Sequence, residues 1–173
     1  MDQTNLLIAG KDRPASNGAT FDRVSPVTGE VATRAAAATL EDADAAVAAA
    51  REAFPAWAAL PPTERRRRLL KAADLMQERA PDFIKVGVLE TGGTPGWYGF
   101  NTKLASNMLR EAASLTTQLG GEVIPSDVPG NMAMAVRQPA GVVLGIAPWN
   151  APVILGTRAV AAALACGNTV VLK

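Results

Sequence analysis

Val142-Val143-Leu144-Gly145-Ile146-Ala147-Pro148-Trp149-Asn150-Ala151-Pro152 reads as a strand that stops and a helix that starts. The run from Gly141 to Ala147 has no polar alternation, the pattern of a strand buried on both faces of a helix-covered parallel sheet. Pro148 lacks a backbone N–H and ends the ladder. Pro152 suits a first helical turn, and Val153 to Ala165 continues as an apolar, alanine-rich helix with one charge, Arg158. Gly167 suits the left-handed residue that closes such a helix, and Asn168 leads into a second apolar run, Thr169 to Leu172, ending in Lys173. Strand, helix, strand is the βαβ order of an α/β fold. Its crevice lies where the strand ends face the helix N-terminus, the place at which open α/β sheets take ligands. Asn150 stands at that junction, where the residues alone also fit an ordinary helix N-cap.

Outward from this stretch the chain divides into three regions without repeats or low-complexity linkers. Residues 1–121 begin with short strands around the turn clusters Arg13 to Gly18 and Pro26 to Gly29, between about residues 5 and 35. Thr39 followed by Asp42 has the form of a helix cap, and Ala43, Ala46, Val47, Ala50, Phe54 and Trp57 then recur on one helical face. A second helix is expected from Pro62 with Leu69, Ala72, Ala73 and Met76 buried, a third from Pro81, and a longer one after Pro95 reaching about Leu119. Residues 122–139 change character. Glu122 to Ser126 and Met132 to Arg137 alternate like strands around the turn signal Asp127 to Asn131, which predicts a hairpin. Residues 140–173 are the βαβ unit.

Composition excludes several functions. The 173 residues carry a formal net charge of +1, so no broad attraction to nucleic acid or to an anionic membrane is expected. Hydrophobic residues make up 49%, enough for a sizeable core, yet no stretch of about 18 uninterrupted apolar residues occurs. The start, Met1 to Gly10, has neither a basic segment nor a long apolar stretch, and the expected location is cytoplasmic. With one cysteine and no histidine, a disulfide, a metal site or a Ser-His-Asp triad is not expected. Cys166 falls at the C-terminal end of its helix, where the dipole opposes a thiolate, so it reads as a packed structural residue. Glu64 to Arg68 reads as a solvated face, with Glu64 and Arg68 paired at i,i+4.

Pro148-Trp149-Asn150 followed by Pro152, with Ala165-Cys166-Gly167-Asn168-Thr169-Val170-Val171-Leu172-Lys173, resembles the aldehyde dehydrogenase superfamily. Leu89-Glu90-Thr91-Gly92-Gly93-Thr94-Pro95, Ser25-Pro26-Val27-Thr28-Gly29-Glu30 and Arg137-Gln138-Pro139-Ala140-Gly141 are similar to segments of the same family, and the matches run from about Asn5 to Lys173. The resemblance implies the N-terminal part of that fold, incomplete here: the start of a Rossmann-like sheet with flanking helices. It also implies that the hairpin at 122–139 is a bridging arm through which subunits form a homodimer or homotetramer. No Gly-x-Gly-x-x-Gly turn follows the strand, in keeping with a family that holds the pyrophosphate differently.

The same resemblance implies a chemistry. Asn150 would donate its amide N–H to the oxyanion formed when a cysteine thiolate attacks an aldehyde. Ile146, Ala147, Pro148 and Trp149 would line the cofactor crevice, and Lys173 would reach the adenosine ribose of NAD, or the 2'-phosphate of NADP. On its own Lys173 reads as a surface lysine closing a strand. Gly96 to Asn101, Leu109 to Ser114 and Asn150 to Arg158 look most like the bacterial salicylaldehyde, vanillin and benzaldehyde dehydrogenases. An aromatic aldehyde needs a flat apolar slot, for which Trp97 would supply a wall, Ala151 the room for a ring, Leu155 further lining, and Arg158 a partner for ring hydroxyls or a carboxylate. Trp97 and Ala151 fit plain packing roles as well. A complete family member is well over twice this length, so the nucleophilic cysteine and the general-base glutamate have no counterparts among these residues. The competing expectation is a non-catalytic module that joins intact subunits through the hairpin.

Overall fold

The computed structural model describes residues 3–173; Met1 and Asp2, the first two residues of the stretch read for a leader, lie outside the described residues. The N-terminal strands are β1 (Gln3–Thr4), β2 (Leu6–Ile8), β3 (Lys11–Arg13), β4 (Thr20–Val24) and β5 (Val31–Ala36). They form a sheet in the order β1-β5-β4 and a separate β2-β3 hairpin. Helices α1 (Leu40–Ala58), α2 (Pro62–Glu78), α3 (Ala80–Thr91) and α4 (Pro95–Leu115) follow. The chain then runs through β6 (Glu122–Ile124), β7 (Ala133–Ala135), β8 (Val142–Gly145), α5 (Pro152–Ala165) and β9 (Thr169–Leu172). β6 and β7 pair antiparallel, whereas β8 and β9 pair parallel from Val142 opposite Thr169 to Gly145 opposite Leu172.

Small side chains build the core. Leu69 and Ala73 of α2, Leu109, Ala112 and Ala113 of α4, and Ala161 and Ala165 of α5 form one buried cluster, with Leu70, Met76 and Leu164 packed around it. Alanines at facing positions let the three helix backbones approach closely, so a modest apolar area is fully desolvated. Helix α1 is tied to the βαβ unit by two bonds: Trp57 Nε1 donates to Leu164 O at 3.1 Å, and Thr169 Oγ1 donates to Ala50 O at 2.8 Å.

Local signals at the helix ends are realised. Thr39 caps α1 in a capping box with Asp42, whose carboxylate also accepts from Ser16 N. The Thr39 N–H, joined by the Ser16 donors, holds the Asp42 carboxyl below its ordinary value. Gly167, at φ +87, takes the left-handed position after α5.

Several expectations are corrected. Arg65 is not on a solvated face: it is 7% exposed, and its guanidinium donates to Ala165 O at 3.1 Å and to Leu60 O at 2.5 Å. That buried cation ties the end of α5 to the α1–α2 connection. Its neighbours behave as read, since Arg67 and Arg68 both bond Glu64 at 2.8 Å and hold its carboxyl down to about 2. Ala72, Ala43 and Val47 are exposed: α2 turns Ala73 inward, and α1 turns Asp42 inward and half-buries Ala46. Helix α4 ends at Leu115, not Leu119, where Thr116 to Gln118 form a turn. The hairpin pairs over three residues per strand instead of five and six. Strand β8 is not buried on both faces, for Leu144 is 62% exposed among the described residues.

Candidate functional site

The ends of β8 and β9 come together through backbone bonds past the last ladder pair. Lys173 N donates to Gly145 O at 2.8 Å, and Ala147 N donates to Lys173 O at 2.9 Å. Ile146, Ala147 and Lys173 therefore sit side by side at the C-terminal edge of the parallel pair, the crevice that such sheets use for ligands. Gly145 permits this geometry. A Cβ there would stand 2.9 Å from Ala159 Cβ, so α5 crosses β8 closely only over a glycine. Beyond it Ile146, Pro148 and Trp149 are exposed, Trp149 by 77%.

Asn150 follows in a bend before α5. The N-cap of that helix is Ala151, with φ −141 and no side-chain capping bond, so the N-cap alternative for Asn150 does not hold. Among the described residues no hydrogen bond takes up its carboxamide, and the side chain is exposed at the positive end of the α5 dipole. A neutral N–H donor beside a helix N-terminus can stabilise charge that develops on a bound oxygen.

Leu155 and Arg158, three residues apart, share one face of α5, and Ala151 precedes them at the N-cap, next to Asn150. Ala151 is buried, Leu155 half-buried and Arg158 exposed. Trp97 stands on another element, the first turn of α4, and α4 packs along α5 through the core cluster. Its indole stacks on Phe100 with ring centroids 5.7 Å apart and planes 27° from parallel. Phe100 was missed in the sequence, although the i,i+3 spacing of two aromatics on one helix was the available signal.

For a dinucleotide, the exposed apolar side chains of Ile146 and Trp149, with Lys173 on the same sheet edge, are the groups that would meet a flat ring and a hydroxylated or phosphorylated ribose. Among the described residues no group of three His, Cys, Asp or Glu side chains could hold a metal ion, and no helix is long and apolar enough to cross a membrane. Cys166 is half-buried at the C-cap of α5, far along the helix from Asn150.

The model of the aldehyde dehydrogenase family matches residues 13–173. Vanillin dehydrogenase of Pseudomonas fluorescens is 71% identical over 168 residues, which is 97% of this chain and 35% of that protein. Benzaldehyde dehydrogenase [NAD(+)] of Pseudomonas putida is 40% identical over 158 residues, covering 91% of this chain and 32% of that protein. The crystal structure of a salicylaldehyde dehydrogenase from Pseudomonas putida G7, complexed with salicylaldehyde, superimposes with a TM-score of 0.97 at 47% identity, over 100% of this chain and 36% of that one. The chain thus spans about a third of the length of the relatives it matches. A βαβ crevice bearing Pro148-Trp149-Asn150, a family match over residues 13–173 and these identities together make the chain a member of the aldehyde dehydrogenase family, corresponding to its N-terminal portion.

Proposed function

We propose that the chain supplies the N-terminal third of an NAD-dependent aldehyde dehydrogenase, with NADP as the other candidate cofactor, that oxidises an aromatic aldehyde to the carboxylic acid. The observation that carries this reading is the uncommitted carboxamide of Asn150 between the end of β8 and the first turn of α5. A cysteine thiolate supplied by residues outside 1–173 attacks the aldehyde carbon, the carbon–sulfur bond forms, and the carbonyl electron pair moves to oxygen. Asn150 Nδ2–H donates to that oxygen, and the dipole of α5 adds to the stabilisation. Ile146, Ala147, Pro148 and Trp149 are the residues that would hold NAD at the sheet edge, with Lys173 as the group that would meet its adenosine ribose. Bound nicotinamide would supply the hydride acceptor; the thioester left on the cysteine would then be attacked by water, its carbon–sulfur bond breaking to release the carboxylic acid and return the thiol.

Vanillin, salicylaldehyde and benzaldehyde are the substrates that the relatives' names favour. Trp97 forms a wall of the slot for the ring, Ala151 leaves space beside Asn150, Leu155 lines the slot further, and Arg158 meets a ring hydroxyl or carboxylate. In this reading residues 1–121 are the outer strands and helices of the cofactor-binding domain, 140–173 open its sheet, and the β6-β7 ribbon at 122–139 bridges subunits of a homodimer or homotetramer. The exposed Val123, Met132, Met134 and Val136 of the ribbon support that use. The setting is cytoplasmic, with no nucleic acid or membrane as partner. The same ribbon supports a second reading, a non-catalytic module that associates with intact subunits. An open frame past the Lys173 codon encoding a cysteine nucleophile and a Glu-Leu-Gly-Gly segment favours the enzyme; a stop codon there favours the module.

The purified full-length product, offered vanillin, salicylaldehyde, benzaldehyde and propanal with NAD and then NADP, tests the proposal. Reduction of the nicotinamide with kcat/KM about tenfold higher for the aromatic aldehydes supports it. No aldehyde-dependent reduction contradicts it.

A further inference from the structure

Tyr98 is the largest fully enclosed side chain among the described residues, 1% exposed, and it lies one residue from Trp97. Its ring occupies a slot walled by glycines. A Cβ on Gly87 would stand 2.2, 2.3 and 2.6 Å from three atoms of the ring, and one on Gly93 would stand 2.9 Å from Cε2. Neither wall has room for a methyl group.

The hydroxyl end of the slot is fully paired. Thr91 Oγ1 donates to Gly87 O at 3.0 Å, which uses its one hydrogen, so the Tyr98 hydroxyl is the donor in the 2.6 Å bond to Thr91 Oγ1. Gly93 N donates to the same oxygen at 3.3 Å. On the backbone side, Thr102 Oγ1 donates to Tyr98 O at 2.9 Å, while Trp97 is held by Thr94 Oγ1 at its N–H and by Asn101 Nδ2 at its carbonyl. These bonds fix where α4 begins and how it is rolled about its axis. Successive residues are about 100° apart around a helix, so any roll that relieves a blocked slot swings Trp97 and Phe100 through the same angle.

We propose that Tyr98, seated between Gly87 and Gly93, is a positioning residue for substrate specificity: it sets the roll of α4 and with it the surface that the Trp97–Phe100 pair offers to an aromatic aldehyde. This rests on the reading of Trp97 as a wall of the aldehyde slot. Tyr98 itself touches no substrate, since it is enclosed. The slot explains a glycine at position 87 inside α3 and another at position 93 in the corner between Thr91, where α3 ends, and Pro95, where α4 starts.

The test uses the full-length enzyme with benzaldehyde and propanal, measuring kcat and KM for Gly87→Ala, Tyr98→Phe, Trp97→Ala and the double variant Gly87→Ala/Trp97→Ala. Gly87→Ala is expected to raise the benzaldehyde KM about tenfold, with kcat and the propanal KM held within about twofold. Tyr98→Phe keeps the ring and loses the Thr91 bond; it is expected to shift the benzaldehyde KM about threefold in the same direction, and it carries the test if Gly87→Ala does not fold. In the Trp97→Ala background, Gly87→Ala should add nothing. Equal KM rises for both aldehydes, or additive losses in the double variant, overturn the proposal. A selective Trp97→Ala beside neutral Gly87→Ala and Tyr98→Phe sinks the positioning role alone. A Trp97→Ala without selectivity removes the wall itself, and the positioning role with it.

Discussion

The amide N–H of Ala147 donates to the carbonyl oxygen of Lys173 at 2.9 Å, which carries the pairing of β8 and β9 past the last residue of either strand. Two segments separated by the whole of α5 thereby present Ile146 and the Lys173 side chain at one sheet edge. The proposed cofactor face depends on that adjacency. Lys173→Ala in the full-length enzyme should raise the KM for NAD about 10- to 100-fold, the loss of one charge-assisted bond, and leave the aldehyde KM unchanged. Steady-state kinetics with each substrate varied in turn reads both values, and an unchanged NAD KM removes Lys173 from the cofactor.

Arg65 distinguishes a buried cation from a surface one within a run of four arginines. Its guanidinium answers carbonyls at the end of α5 and in the α1–α2 connection. Arg65→Ala leaves them unpaired and should cost about 3 kcal/mol, whereas Arg66→Ala should stay within about 0.5 kcal/mol. Urea unfolding of the full-length protein compares the two, and equal midpoints contradict the assignment.

The Asp42 carboxyl is held low mainly by the Thr39 N–H, with Ser16 assisting. A depressed folded pKa means that the stabilisation is fully present above the unfolded value of 3.8 and is lost as pH falls through the lower folded value. Asp42→Asn should therefore lower the Tm near neutral pH, and its deficit against the parent should shrink below about pH 4. Thermal scans across that range check it; a deficit constant with pH points to packing instead.

Much of this was legible locally, because strand endings, caps and prolines act within a few residues. Pro148 and Pro152 bracket the β8–α5 junction, and the Thr39–Asp42 box appears where the spacing put it. What stayed hidden depends on contacts far apart in sequence. Nothing beside Arg65 announces the carbonyl of Ala165, and in a charged run it reads like its neighbours. The pairing of Tyr98 with Gly87 joins two helices through a bare backbone, which leaves no periodic trace. Asn150 had the composition of an N-cap, yet the helix takes Ala151 there, which frees the carboxamide.

A polypeptide of residues 1–173 alone leaves Leu144, Ile146, Trp149 and Leu172 exposed around a two-stranded sheet. It should associate or aggregate rather than remain monomeric. Sedimentation together with calorimetry checks this, and a soluble monomer that unfolds cooperatively contradicts it.

In the proposed reaction the carboxamide of Asn150 serves the oxyanion, since Ala151 and not Asn150 is the N-cap of α5. In the full-length enzyme, Asn150→Ala should reduce kcat for vanillin about 100- to 1,000-fold while the Tm and the KM for NAD stay at parent values. A variant that turns over vanillin at the parent rate contradicts the account.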